Sequence, residues 1–231
     1  VKKDLSISDF QMGLLTGPAF ALFYSFLGVP IGWLADRMSR RSIIAWGVAV
    51  WSAMTAFSGI ARSYVQLFLL RTGVGIGEAA LSPPAYSIIT DYFPRHRLAT
   101  AISVYGMGIY IGSGLSILLG GLAVKHLMAL APPVLPIVGE IRPWQTVFFV
   151  IGLPGLLIAM LVYTIREPVR RGVGARSGSV SFREFLRYFN ANRATLLCHH
   201  FGFAFVAFMG YASMFWVPAY FVRVHHWDLA Q

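Results

Sequence analysis

Two charge-free stretches, Phe10 to Ala35 and Ser42 to Ala61, are joined by a short loop that carries Asp36, Arg37, Arg40 and Arg41. At about 1.5 Å of rise per residue, each stretch is long enough as a helix to cross a hydrocarbon core of roughly 30 Å. A backbone in lipid must satisfy its own polar groups, so the chain is constrained to a hairpin of membrane helices closed by a cationic turn. Cationic loops stay on the cytoplasmic side, and this loop therefore orients everything after it.

Composition agrees with that reading. The chain is 57% hydrophobic and 12% charged, with a mean hydropathy of +0.65, too apolar for a soluble domain to cover. The net charge of +10 does not point to nucleic acid, because the basic residues sit in loops between apolar spans and not on one face. Lone Cys198 lies within an apolar span and excludes an internal disulfide framework. The N-terminus does not read as a signal peptide, since its first apolar run is too long for an h-region.

Taken in order, helices are expected over about 10–35, 42–61, 63–90, 98–124, 143–165 and 194–222, with Ser8 as N-cap of the first. An outer segment with Pro132, Pro133 and Pro136 is too irregular to cross lipid. Between the last two spans runs the most cationic stretch, with Arg166, Arg170, Arg171, Arg176, Arg183, Arg187 and Arg193. Within it, Gly172 to Ser179 reads as a flexible linker. Ser181 and Glu184 have capping-box spacing ahead of an amphipathic helix over about 181–190, with Phe182, Phe185, Leu186 and Phe189 on one face and Arg183, Arg187 and Asn190 on the other. Of 19 Lys and Arg residues, twelve fall in the inner loops and six (Lys2, Lys3, Arg62, Lys125, Arg142, Arg223) in outer segments. That asymmetry supports the orientation.

The remaining basic residue, Arg71, lies inside the third span with Glu78 and Ser82. Intramembrane charges are expensive and mark function by default. Arg71 and Glu78 are seven residues apart, two turns and nearly one face, and about 10.5 Å of rise separates them. They are expected to reach different depths of one polar cavity and not to form a tight pair. Pro83 and Pro84 supply no amide donors and leave carbonyls near Ala79 and Ala80 free. Gly73, Gly75 and Gly77, with Gly108 and Gly112 in the next span, are candidates for close helix packing. His199 and His200 in the last span can pack or gate. No third ligand accompanies them, so no metal or other cofactor is expected, and no nucleophile–base pair suggests an enzyme.

The loop Gly32-Trp33-Leu34-Ala35-Asp36-Arg37-Met38-Ser39-Arg40-Arg41 resembles the signature between the second and third helices of the major facilitator superfamily. Gly32, Asp36, Arg37, Arg40 and Arg41 match, and Ser39 stands where the family usually has glycine. Arg71, Gly75 and Gly77 also match the family's fourth-helix pattern. The segment from Arg71 to Gly112, with Gly-Glu-Ala-Ala-Leu-Ser-Pro-Pro-Ala-Tyr and Asp-Tyr-Phe-Pro, is most similar to bacterial members of the spinster branch. The resemblance implies an all-α integral membrane fold with six transmembrane helices, the family's helices two to seven of an expected twelve. Residues 1–165 would then form the N-terminal bundle without its first helix, 166–193 the cytoplasmic linker, and 194–231 the first helix of the C-terminal bundle with an outer loop. Trp227 to Gln231 loosely echoes Ile7 to Gln11, as two related halves would.

The function implied is secondary active transport by alternating access in a monomer of the inner cell membrane, with protons, membrane lipid and a small-molecule substrate as partners. Arg71, Glu78 and Ser82 are the candidate substrate-binding residues, with Arg71 the implied anion anchor and Glu78 also the proton-coupling site. Gly32, Asp36, Arg37, Arg40 and Arg41 are the implied conformational motif. Lysophospholipid- or sphingoid-like amphiphiles are the favoured substrates. Sugar acids or other organic anions fit the same residues, and a membrane sensor or scaffold that reuses the fold without net transport is a further alternative.

Overall fold

The computed structural model describes residues 1–2, 4–128, 134–135, 139–171 and 181–225. The prolines 132, 133 and 136, the linker Gly172–Ser179 and the tail Trp227–Gln231 lie outside the described residues. The chain divides into two units, Val1–Arg176 and Ser177–Gln231.

In the first unit the element order is α1 (Asp9–Thr16), α2 (Pro18–Ala35), α3 (Arg40–Ser58), α4 (Tyr64–Glu78), α5 (Ser82–Tyr92), α6 (Arg95–Met128), a two-residue antiparallel ladder of β1 (Val134–Leu135) with β2 (Gly139–Glu140), and α7 (Pro143–Val162). Ser8 starts α1 through a capping box, its hydroxyl accepting from Gln11 N while the Gln11 side chain accepts from Ser8 N. The first expected span is interrupted at Gly17, because Pro18 has no amide hydrogen to continue the ladder and opens α2 as its first residue.

Helix α3 is the centre of the unit, packed on α4, α5 and α7. It is held close by glycine: a Cβ on Gly77 of α4 would lie 2.6 Å from the Trp51 amide of α3, and one on Gly152 of α7 would lie 2.5 Å from the Ala56 amide. No side chain fits there, so these helices meet backbone to backbone. One core cluster gathers Ile44, Ala45, Val48, Ala85, Ile88, Ala159 and Val162 from α3, α5 and α7.

Four helical stretches among the described residues are long and apolar enough to cross a membrane: Asp9–Ala35, Arg95–Ala123, Pro143–Val162 and Arg193–Ser213. The expected spans over 42–61 and 63–90 do not qualify alone. The first, α3, carries buried Arg40, Ser52 and Ser58 and is shielded by its neighbours, so lipid need not solvate it. The second is broken into α4 and α5.

The second unit contains α8 (Phe182–Ala191) and α9 (Arg193–His225). The Ser181 hydroxyl accepts from Glu184 N at 3.2 Å and caps α8. Exposed Arg183, Arg187 and Asn190 lie opposite Phe185, Leu186 and Phe189, which gives α8 two chemically distinct faces.

Candidate functional site

Pro83 and Pro84 split the expected third span. Without their amide hydrogens, the Ala79 and Ala80 carbonyls lose their usual donors four residues on. Tighter bonds take over at the end of α4, Ala80 N to Gly77 O and Leu81 N to Glu78 O, both 3.1 Å. Glu78 is therefore the last residue of α4 and Ser82 the first of α5, with a turn between them.

Arg71, Gly75 and Glu78 fall within roughly 60° around α4. This side meets α2, where a Cβ on Gly75 would sit 2.6 Å from the Phe20 carbonyl. Gly73 and Gly77 face the other way, toward Met54 and Trp51 of α3. Arg71 and Glu78 are half-buried and interact electrostatically, yet among the described residues neither has a direct hydrogen bond or ion pair. Beside Arg71, the buried Thr72 hydroxyl also has no partner among the described residues.

Ser82 does have neighbours. Its Oγ is 3.3 Å from the Tyr24 hydroxyl of α2, and Tyr105 of α6 lies near the same serine. Phe20 stacks on Tyr24 with ring centroids 5.4 Å apart, and Tyr86 meets Tyr105 edge-on at 5.3 Å. Sequence reasoning missed both tyrosines, because aromatic residues in apolar spans read as lipid contact. The available signal was depth: each lies about ten residues in from a charged loop, well away from the interfacial belt where tyrosine usually sits.

The signature loop forms a second centre. Arg40 is 1% exposed. Its guanidinium pairs with Asp91 in the last turn of α5, reaches Glu167 Oε1 at 3.2 Å, and donates to the Ser87 hydroxyl at 2.9 Å and the Pro168 carbonyl at 2.8 Å. Arg170 donates to the carbonyls of Ala35 and Met38 at 2.8 and 2.7 Å, and Arg171 N donates to Asp91 Oδ1 at 3.0 Å. Arg41 donates to the carbonyls of Tyr163 and Ile165 at 3.3 Å. The chain after α7 thus straps the α2–α3 loop against α5. Arg37 lies over the Trp33 ring at 3.7 Å, Asp36 caps α2 through its backbone and is exposed, and a Cβ added to Gly32 would make ordinary van der Waals contact with Pro83 at 3.8 Å.

Asp91, just beyond the expected 63–90 span, is a buried partner of Arg40 within α5. Glu167 was not singled out, although an acid at the head of a cationic run was a usable signal. Ser39, at the family's glycine position, caps α3 by accepting from Ser42 N at 3.3 Å and donates its hydroxyl to Glu167. Partial burial pushes the Glu167 carboxyl up, but hydrogen bonds from Ser39 and from the Arg40 amide and guanidinium outweigh it and hold the group below its usual range.

Other expected residues stand apart. A Cβ on Gly108 or Gly112 would meet nothing within 4 Å, so these glycines make no close helix contact among the described residues. His200 Nδ1 is 2.6 Å from the Leu196 carbonyl one turn back, and the His199 ring packs on Phe203 at 4.8 Å. No group of three potential metal ligands occurs among the described residues.

Comparison with known proteins follows the same lines. The profile described as Major Facilitator Superfamily matches residues 1–231. A crystal structure of a bacterial homolog to the human lysosomal transporter Spinster, inward-facing and unoccupied, superposes with a TM-score of 0.74 at 38% identity over 98% of this chain and 50% of that one. Protein spinster homolog 1 of Xenopus tropicalis is 30% identical over 96% of this chain and 41% of its own length. The probable L-galactonate transporter of Escherichia coli strain K12 is 27% identical over 99% of this chain and 50% of its own. The chain spans about half the length of the curated relatives it matches. It is a multi-pass membrane protein that belongs to the Major Facilitator Superfamily, with spinster-type similarity along nearly its whole length.

Proposed function

We propose that the full-length protein is a secondary active transporter that moves a small anionic or amphipathic organic solute by alternating access, coupled to protons. The observation that carries this reading is the half-buried Arg71 and Glu78 on one side of α4, electrostatically linked but without direct partners among the described residues. Two opposite charges left uncommitted inside an apolar bundle are available to cargo.

Charge balance supplies the coupling. An empty site with charged Arg71 and charged Glu78 is neutral overall. A site with an anion on Arg71 and a proton on Glu78 is neutral again. A half-loaded site carries a net charge, which is costly in a low-dielectric interior. Reorientation therefore favours the empty and the fully loaded states, and anion and proton travel together. The Arg40 cluster and the exposed Asp36 would stabilise one of the alternating conformations through the motif loop.

Lysophospholipid- or sphingoid-like amphiphiles are the favoured cargo, supported by the similarity to spinster proteins. Sugar acids are the second reading, supported by the similarity to a galactonate transporter. We treat the protein as a monomer that needs no cofactor. The test is flux of a labelled lysophospholipid and a labelled sugar acid into proteoliposomes holding the full-length protein. Gradient-driven lipid flux supports the amphiphile reading, flux of the sugar acid alone replaces it with the second, and binding without flux of either returns the protein to a sensor role.

A further inference from the structure

Three hydroxyls from three helices lie at one depth. Tyr24 lies eleven residues from the charged-loop end of α2 at Ala35, Ser82 ten residues from the end of α5 at Tyr92, and Tyr105 ten residues from the start of α6 at Arg95. At about 1.5 Å per residue, each is roughly 15–16 Å from its charged-loop end, well inside the apolar layer. Tyr24 and Ser82 are 3.3 Å apart, and Tyr105 approaches the same serine. All three are half-buried, neither fully enclosed nor on the open surface.

The two phenols are also held in place. Phe20 stacks on Tyr24, and Phe20 is itself fixed by its backbone contact with Gly75 of α4, on the same side as Arg71 and Glu78. Tyr86 braces Tyr105 edge-on. Preorganised hydroxyls lose little entropy when they bind, which is why rigid tyrosines serve well as recognition groups. Ser82 is four residues beyond Glu78, across the turn that separates α4 from α5.

We infer that Tyr24 and Tyr105, grouped about Ser82, form a hydroxyl-lined subsite that hydrogen-bonds an oxygen-rich head group of the cargo while Arg71 holds its negative charge. This rests on the transport reading and deepens it. Arg71 selects for an anion, and the hydroxyl cluster selects among anions for those bearing hydroxyl groups. That chemistry is shared by a glycerol-headed lysophospholipid and by a sugar acid. Removing one neutral hydrogen bond from such a site weakens affinity by about two- to tenfold.

The experiment measures equilibrium binding to the purified full-length protein with two matched pairs of probes. The first pair is lysophosphatidylglycerol and lysophosphatidic acid, and the second is galactonate and hexanoate. In each pair both members are anionic and only the first carries the added hydroxyls. The pair that binds identifies the source of the head group. Tyr24→Phe and Tyr105→Phe should each weaken binding of its hydroxylated member about two- to tenfold, leave its partner within about twofold, and leave the melting temperature unchanged. Equal loss for both members of a pair, unchanged binding of both, or no binding of any probe by the wild type would overturn the inference. If the binding shifts occur but proteoliposomes carry none of these probes, the subsite stands and the transport reading fails.

Discussion

Arg40 at the start of α3 and Asp91 in the last turn of α5, 51 residues apart in sequence, form an ion pair whose side chains are only 1% and 9% exposed. Glu167, more exposed at 24%, adds a second carboxylate, and the Ser87 and Pro168 oxygens take up remaining donors. The arrangement uses the guanidinium's planar fork on several sides at once.

Removing one partner of a buried pair strands the other charge, at a cost of about 3–5 kcal/mol. Arg40→Ala is expected to lose that much stability, seen as a fall in melting temperature in detergent. Arg40→Lys should recover only a minor part, because an ammonium on a flexible stem cannot serve Asp91, Glu167 and Pro168 together. Full recovery with lysine would show that charge alone matters at this position.

Acid should loosen the same centre in a defined way. The folded Glu167 carboxyl titrates below its unfolded value, so its contribution is present above about pH 4.3 and is lost as pH falls through the folded value. Melting temperature should therefore drop on acidification below that point, and Glu167→Gln should remove this part of the slope. Parallel curves for wild type and variant would contradict the assignment.

Two glycines of similar appearance in sequence should behave differently. A methyl group on Gly77 would collide with the Trp51 amide and the Gly47 carbonyl, at 2.6 and 2.9 Å, both backbone atoms that cannot swing away. Gly77→Ala is expected to cost about 1–3 kcal/mol. Gly108→Ala meets nothing within 4 Å and should stay within about 0.5 kcal/mol. Thermal melts of the two variants side by side check the contrast, and equal losses would refute it.

Helices within Phe10–Ala35 and Ser42–Ala61 were readable because lipid imposes a simple rule, long charge-free runs closed by charged loops, although Gly17 and Pro18 divide the first and the second does not reach membrane-crossing apolarity alone. The ordered residues of the signature loop made the family readable as well. Where those residues reach was not readable: Arg40 finds Asp91 and Glu167 across 51 and 127 intervening steps, distances that no local periodicity encodes. Pro83 and Pro84 signalled lost donors but not that the chain would separate into α4 and α5. For Arg71, Glu78 and Ser82, spacing and depth were legible, whereas Tyr24 and Tyr105 come near Ser82 only through the packing of α2, α5 and α6. Ser39 looked like a departure from the family's glycine, and becomes intelligible as a cap and a donor to Glu167 once that acid is folded against it.

In the proposed transport cycle Glu78 carries the coupled proton. The direct test is uptake into proteoliposomes by the full-length protein under an imposed pH gradient, wild type beside Glu78→Gln, using whichever probe the wild type transports. Gradient-driven uptake should disappear in the variant, while exchange of substrate across the membrane, measured without a gradient, should persist. Driven uptake at the wild-type rate in Glu78→Gln would contradict it.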